Sequence, residues 1–379
     1  MNRKSAAFIL TAVLVVSALF AFAGCGKKES AVKVENLELE HEQEFGGVYL
    51  KMKIDDFNAK GFTYGDSVDV VFSNGYKLED IPYYNGYYVA AGDPLLIAYP
   101  GYDYIKAAVN YGDDLWDTAK LGDAHCTGSI ILKEKGKYRD IQEARDIHYY
   151  DERERYDSDE IFANFREMNV GGLKEKTVYR SASPCDNQHN RAPYVDALIK
   201  NAGIRCILNL ADNNEKIEKY IKADGFASPY FLSLYNDGKV IPLALSMNYN
   251  ADDFKSKIAQ GFIAMLEKEG PYLVHCTEGK DRTGFVCMLI EALAGASYQE
   301  IADDYMKTYD NYYWITREKE KTKYDTILSM NLDAMILAVC GDKTADVKKA
   351  DLAGYARNYL ISAGMTESQV DRFTEIISR

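Results

Sequence analysis

The stretch His275-Cys276-Thr277-Glu278-Gly279-Lys280-Asp281-Arg282-Thr283-Gly284 puts a thiol and a guanidinium in one short segment. Five residues separate Cys276 from Arg282, enough for one tight loop whose backbone N–H groups turn inward as an anion cradle. Gly279 permits the turn, and a helix starting near Arg282 adds its positive N-terminal end. Arg282 can fork onto two oxygens of a tetrahedral anion. Together these devices favour the thiolate of Cys276 at neutral pH, and a thiolate beneath an anion cradle is a nucleophile aimed at phosphorus. Attack would give a phosphocysteine, a general acid would protonate the leaving oxygen, and water would then release phosphate. Arg282 and the loop amides suffice to stabilise the trigonal bipyramid, so no metal and no other cofactor is expected.

Such a loop needs a strand before it and a helix after it. Tyr272 to His275 form a short apolar run, preceded by Gly270-Pro271, which stops a helix carrying Phe254, Ile258, Phe262, Met265 and Leu266 at helical spacing. Upstream, Val195, Leu198 and Ile199 make a helical stripe that Gly203 can end, and Ile204 to Leu210 read as a buried strand. A helix is predicted from about Arg282 to Leu293, with two more opened by the capping boxes Ser297-Tyr298-Gln299-Glu300 and Thr366-Glu367-Ser368-Gln369. Residues 158–379 therefore read as an α/β domain, a central, mostly parallel sheet flanked by helices.

The loop resembles the signature loop of cysteine-dependent protein tyrosine phosphatases. Its Gly-Lys-Asp-Arg-Thr-Gly ending resembles a bacterial branch with broad specificity toward phosphotyrosine, phosphoserine or phosphothreonine, and phosphoinositides. Asn164-Phe165-Arg166 is similar to that family's opening motif, Val178-Tyr179-Arg180-Ser181 to its second motif, and Ile301 to Tyr305 to its helix after the loop. The resemblance implies Cys276 as nucleophile, Arg282 as phosphate clamp, Thr283 as a hydroxyl bonding the leaving thiolate, and His275 as a residue that orients the loop. It places Thr277, Glu278, Gly279, Lys280, Asp281 and Arg282 around the phosphate. Lys280 suits an extra phosphate or a lipid headgroup, or is simply a solvated loop lysine. Three carboxylates compete as general acid. Asp281 lies inside the loop, Asp237 in the turn Asn236-Asp237-Gly238, and Asp212 in Asn209-Leu210-Ala211-Asp212, where the family's Asp-Leu-Arg motif is not kept and position 209 is no acid. Glu167 to Gly172 likewise replace a more compact Asp-Leu-Gly-Gly. The implied substrates are phosphorylated proteins, as for a tyrosine or dual-specificity phosphatase, with phosphoinositides or inositol phosphates as the alternative. Outside enzymology, the competing reading is a surface binding module with an incidental phosphate pocket.

The whole chain has 379 residues and a formal net charge of −13, which repels polyphosphate backbones at long range and excludes a nucleic-acid partner. Arg3 and Lys4 precede the uncharged run Ala6 to Phe22, and Ala23-Gly24-Cys25 follow, the pattern of a secretory signal peptide. It resembles a bacterial lipoprotein box. Residues 1–24 are then a leader, Cys25 carries lipid, residues 25–36 are a tether, and the protein is extracytoplasmic, held to the bacterial membrane by its lipid. Cys126, Cys185, Cys206, Cys287 and Cys340 show no CxxC pair and are expected to be reduced and mostly buried. His125 and Cys126 are adjacent, so on a strand they point to opposite faces and hold no metal. Residues 37–138 read as an all-β barrel or sandwich, with strands at Val48–Ile54, Ser67–Phe72, Tyr87–Ala90, Leu95–Tyr99, Tyr104–Val109 and Ser129–Leu132. Gly47-Val48-Tyr49, Gly61-Phe62-Thr63-Tyr64-Gly65-Asp66 and Tyr104 to Asn110 resemble the C-terminal β-barrel domain of S-adenosylmethionine hydroxide adenosyltransferases. With no α/β domain ahead of it to complete a nucleoside site, this barrel is expected to be a spacer or recognition module. Residues 139–157, dense in charge, suit a linker or an exposed helix.

Overall fold

A computed structural model describes residues 32–90, 92–122, 125–249 and 251–379. The leader and Cys25 lie outside the described residues. Seven strands, β1 (Lys33–Glu42), β2 (Gly47–Lys53), β3 (Ser67–Phe72), β4 (Lys77–Tyr84), β5 (Pro94–Ile97), β6 (Tyr104–Val109) and β7 (Thr127–Glu134), close into a barrel. Around it they run β1-β2-β6-β5-β4-β3-β7, antiparallel except for the β4–β5 pair. Alternate side chains such as Val48, Leu50, Val68, Val70 and Ile105 fill the interior. The short helix α1 (Ile54–Ala59) adds Phe57, stacked on Phe62 with ring centroids 4.1 Å apart, and α2 (Leu115–Thr118) adds Leu115. Closure leaves no free sheet edge.

Three local expectations for this region need correction. Lys33 to Asn36, read as tether, already belong to β1, whose pairing with β7 slips between Val34 and Leu37 where Asn36 takes φ +59°. That bulge breaks the alternation by which a strand is recognised. Lys77–Tyr84 is a strand despite its charges and Pro82, whereas Tyr87–Ala90 lies outside the strands.

The linker is more than a spacer. It forms α3 (Arg139–Arg145), in which Gln142 and Ala144 are buried, and α4 (Asp159–Phe162) follows it. The second sheet has the order β11 (Val240–Pro242), β10 (Cys206–Asn209), β12 (Tyr272–His275), β9 (Val178–Ser181) and β8 (Arg166–Glu167); all neighbours are parallel except β8 with β9. Tyr179, Ile207, Val240 and Leu273 pack one face against α5 (Ala192–Asn201), α6 (Asn214–Ile221) and α7 (Pro229–Asn236). Val178, Leu208 and Val274 pack the other against α8 (Asp252–Leu266) and α9 (Asp281–Leu293). Beyond them α10 (Tyr298–Tyr313) and α11 (Lys321–Ile327) lead through a π-helical turn, Leu328–Asp333, into α12 (Ala334–Cys340), α13 (Leu352–Ser362) and α14 (Glu367–Ile377). Both capping boxes form, at Ser297/Glu300 and Thr366/Gln369. A central strand buried on both faces thus delivers its C-terminal end, and the loop after it, to one rim of the sheet.

Candidate active site

Cys276 follows the last residue of β12 and is buried, and Asp281 opens α9. Every carbonyl of the intervening loop has a donor behind it. Nδ1–H of His275 donates to the Cys276 carbonyl at 3.0 Å, and the Ser183 amide to that of Thr277 at 3.0 Å. Tyr312 donates to the Glu278 carbonyl at 2.9 Å and Arg180 to that of Gly279 at 3.0 Å, while Asn164 Nδ2 spans both at 3.4 and 3.2 Å. The Lys280 carbonyl accepts from Gly284 at 2.8 Å, the first turn of the helix. In a planar trans peptide the N–H points opposite to the preceding carbonyl. Carbonyls drawn outward therefore turn the amides of the loop inward, where the unpaired N–H groups of the α9 N-terminus join them. Gly279 is required twice over: its φ is +70°, and a Cβ there would sit 2.3 Å from the Ser181 carbonyl oxygen. The Arg282 guanidinium rests on the Leu245 carbonyl at 3.3 Å and Thr277 Oγ1 at 3.4 Å, long contacts that leave its fork available to an anion.

Residues 160–377, more than half of the chain, match the sequence profile of the tyrosine phosphatase family. The chain belongs to this family. Among curated proteins it is 27% identical over 128 residues to the triple specificity protein phosphatase PtpB of Mycobacterium tuberculosis, an alignment covering 30% of this chain and 46% of that one. The chain thus spans about half the length of the curated relative it matches. Among solved structures, the core catalytic domain of the PP-IP phosphatase SIW14 from S. cerevisiae aligns at 21% identity over 45% of this chain and 88% of that one, with a TM-score of 0.26. TpbA of P. aeruginosa aligns at 16% identity over 46% and 90% of the two chains, with a TM-score of 0.27. Cys276 and Arg282 both lie inside the region matched to the family.

The other residues singled out in the phosphatase sequence fall in different places. His275 is fully buried, and burial pushes its imidazole down to about 4 although the Cys276 carbonyl and Asp212 favour the charged form. It is therefore neutral at pH 7, with its proton on Nδ1, because the carbonyl it faces can only accept. Thr283 is buried and its Oγ1 has no hydrogen-bond partner, so the expected bond to the Cys276 sulfur is not made in this state. The Glu278 carboxylate accepts from Tyr149 at 2.9 Å and lies 3.4 Å from Lys280. Burial pushes that carboxyl up, but Lys280 and the Tyr149 hydroxyl outweigh it and hold it below its ordinary value. Lys280 is no freely solvated lysine. Its side chain lies mostly out of solvent, over the Tyr313 ring at 5.6 Å, with Glu278 at 3.4 Å and Asp281 at 3.8 Å.

Of the three acids, Asp281 stands on the first turn of α9, its side chain 37% exposed, and lines a cavity of about 450 Å³ with Lys280, Tyr249, Tyr309 and Tyr313. Asp212 lies at the same rim but is buried, held by Asn209 Nδ2 at 3.2 Å, Lys216 at 3.4 Å and the Tyr220 hydroxyl at 3.4 Å. Asp237 is not brought to the site. It precedes β11, parallel in the sheet to β12, so it sits at the rim opposite to Cys276, exposed and paired with Lys239 at 3.2 Å. The acid-loop reading of Asn236-Asp237-Gly238 is therefore corrected by strand direction alone.

The sequence marked Asn164, Arg166 and Arg180 as family motifs without giving them work. They are the scaffold under the cradle. Asp304 on α10 receives Arg166 Nε at 2.7 Å and Arg180 Nη1 at 2.5 Å, Arg166 also donates to Asn164 Oδ1 at 2.6 Å, and Arg180 and Asn164 hold the loop carbonyls. Two positively charged motif residues close to a strand were the signal available for this network. Tyr149, which supports Glu278, had no such signal: it sits in a charged segment ahead of the region matched to the family. Cys185, Cys206 and Cys287 are buried, Cys126 and Cys340 half-buried, and all five are free thiols.

Proposed function

We propose that this phosphatase acts on phosphorylated proteins, at tyrosine and also at serine and threonine, with Cys276 as nucleophile, Arg282 as phosphate clamp and Asp281 as general acid. The observation that carries this reading is the loop between Cys276 and Arg282, whose outward-held carbonyls leave an inward ring of amides. The Cys276 thiolate attacks phosphorus; the bond to the ester oxygen breaks, its electron pair stays on that oxygen, and Asp281 supplies the proton. Water then attacks the phosphocysteine and gives a proton to the Asp281 carboxylate, and the thiolate leaves with its electron pair as phosphate departs. Arg282 and the amides hold the equatorial oxygens in both steps. His275, being neutral, contributes by fixing the loop rather than by charge. Asp281 is preferred to Asp212 because it is partly exposed at the cavity, whereas Asp212 is committed to three neighbours.

Two features favour a phosphorylated side chain over an inositol polyphosphate. Tyr149, Tyr249, Tyr309 and Tyr313 wall the cavity beside the loop, a surface suited to an aromatic ring, and the charge of Lys280 is already met by Glu278 and Asp281. The relative PtpB of Mycobacterium tuberculosis is a triple specificity protein phosphatase, which agrees with this choice. We propose further that Cys25 is lipidated and holds the enzyme outside the cytoplasm, a reading supported by Arg3, Lys4 and the uncharged run to Phe22. The test is phosphate release by the purified full chain in detergent, with reductant and a chelator, on phosphotyrosyl and phosphoseryl peptides, a phosphoinositide and inositol hexakisphosphate. Turnover of the peptides that disappears in Cys276→Ser is expected. Inositol phosphates as the sole substrates would replace the protein reading, and no turnover by reduced, folded enzyme would favour the surface binding module. Membrane fractionation with Cys25→Ala tests the anchor, which fails if the variant remains in the membrane.

A further inference from the structure

Arg145 ends α3 and is exposed, and it lines two hollows at once. One is the cavity beside Lys280 and Asp281. The other is a crevice of about 610 Å³ on the barrel wall, bounded by β4, the turn carrying Tyr87 and Tyr88, and Ile141 of α3. Met330, on the π-helical turn of the phosphatase domain, also lines both. Arg145 and Met330 are thus a ridge between two parts of one groove that begins at the signature loop and ends on the barrel. Charge is distributed unevenly along it. Other nearby cations are paired, Lys280 with Glu278 and Asp281 and Lys137 with Asp80, but among the described residues no carboxylate lies within ion-pair distance of Arg145. Its charge reaches the phenols of Tyr84 and Tyr88 on the barrel side and Tyr309 on the loop side. Beyond the ridge the crevice carries Glu79, Asp80 and Asp93 beside Ile81, Pro82 and Val89.

We propose that this groove is an extended recognition site for a polypeptide substrate, in which Arg145 pairs with an acidic side chain near the phosphoresidue and the barrel crevice takes an apolar or basic side chain further along. The inference rests on the protein-phosphatase reading and names what that enzyme selects. A compact polyanion would satisfy Arg145 but meet the acids of the crevice, whereas an extended chain can alternate its charges to match. Arg145 and Met330 join the crevice to the cavity lined by Lys280 and Asp281 of the signature loop, which brings an occupant of the crevice within reach of one extended chain from that loop.

The test compares kcat/KM of the full chain on phosphotyrosyl peptides that differ only in a Glu or an Ala near the phosphotyrosine, each with a Lys or a Glu placed further out. Wild type should prefer the Glu-flanked peptide by about three- to fivefold, the size of one solvent-exposed ion pair. Arg145→Ala should bring the ratio near one, and Arg145→Glu should invert it toward a Lys-flanked peptide. The outer Lys should be preferred to the outer Glu, and Asp93→Lys should reverse that. A wild-type ratio near one, or a preference that survives both Arg145 variants, overturns the inference while leaving the protein-phosphatase reading intact. Absence of peptide turnover overturns both. An Arg145 effect confined to inositol phosphates, or self-association lost in Arg145→Glu, assigns the groove to a polyanion or to a second copy and overturns the polypeptide site.

Discussion

His275 offers a stability measurement that isolates one proton. The imidazole is sealed beneath the loop, and burial lowers its pKa to about 4 from an ordinary value of 6.5. In the unfolded chain the same ring titrates near its ordinary value. Between pH 6.5 and about 4 the unfolded state therefore binds a proton that the folded state refuses, and stability falls as the pH falls through that window. At 1.36 kcal/mol per pKa unit the full effect is about 3 kcal/mol. His275→Asn keeps an N–H donor near the position of Nδ1 and cannot titrate, so this contribution should vanish while other carboxylates and histidines titrate as before. The assay is urea unfolding at several pH values from 7.5 to 4.5. Trp314 fluorescence reports on the phosphatase domain once the barrel's Trp116 is replaced by Phe. The difference between wild type and variant should grow in the variant's favour as pH drops, by about 3 kcal/mol overall. Parallel curves would mean that the folded ring takes up its proton as readily as the unfolded one, and the argument that burial holds His275 in its neutral form would be wrong.

Other perturbations test the scaffold. Gly279→Ala forces a Cβ onto the Ser181 carbonyl at φ +70°, so the loop must move and phosphate release should fall by about a hundredfold or more, with the barrel still folded by circular dichroism. Asp304→Asn leaves two buried guanidinium groups without their carboxylate and should cost about 3 kcal/mol in urea unfolding. Asp304 is strongly buried, yet Arg166 and Arg180 hold its carboxyl well below the ordinary range. Its contribution is thus in place above the unfolded value near 4, and the cost of Asp304→Asn should be flat from pH 5 to 8. Tyr149→Phe removes a hydrogen bond to the Glu278 carboxylate and should lower stability by about 1.5 kcal/mol; a change within error would release Tyr149 from its supporting role.

What the sequence made legible follows from how local each device is. The signature loop is read easily because its strand, its glycine and its guanidinium lie within one contiguous segment. The parallel strands and flanking helices are read from periodicity, and β12 matches its expected residues, Tyr272 to His275. Strands without a clean alternation are harder. β1 is largely polar and carries a bulge at Asn36, and β4 contains Pro82, so neither shows a clean period of two; β1 is fixed by its neighbour β2 and by β7 far along the chain, and β4 by ladders to β3 and β5. The aromatic run at Tyr87 to Ala90 has the propensity of a strand without a partner to pair with, and it becomes the wall of a crevice instead. Asp237 shows the same limit at the site. Its sequence offered a turn with an acid, and only the direction of β11 reveals which rim that turn occupies.

The segment between the barrel and the region matched to the family shows why a site cannot be bounded by its motif. Residues 139–157 read as a linker or an exposed helix, yet Ala144 and Tyr156 are buried, the Arg191 guanidinium donates to Tyr150 and Asp151, and Tyr149 bonds Glu278 within the signature loop itself. These contacts join the covalent exit of the barrel to the wall of the cavity. A domain that evolved alone would close that side with its own residues or leave it open to water. Here closing residues come from the connection: α3 packs against α11, and Arg145 and Tyr149 both line the cavity beside the signature loop. The selectivity proposed for Arg145 and the loop support from Tyr149 thus come from one stretch whose composition alone marks it as a spacer.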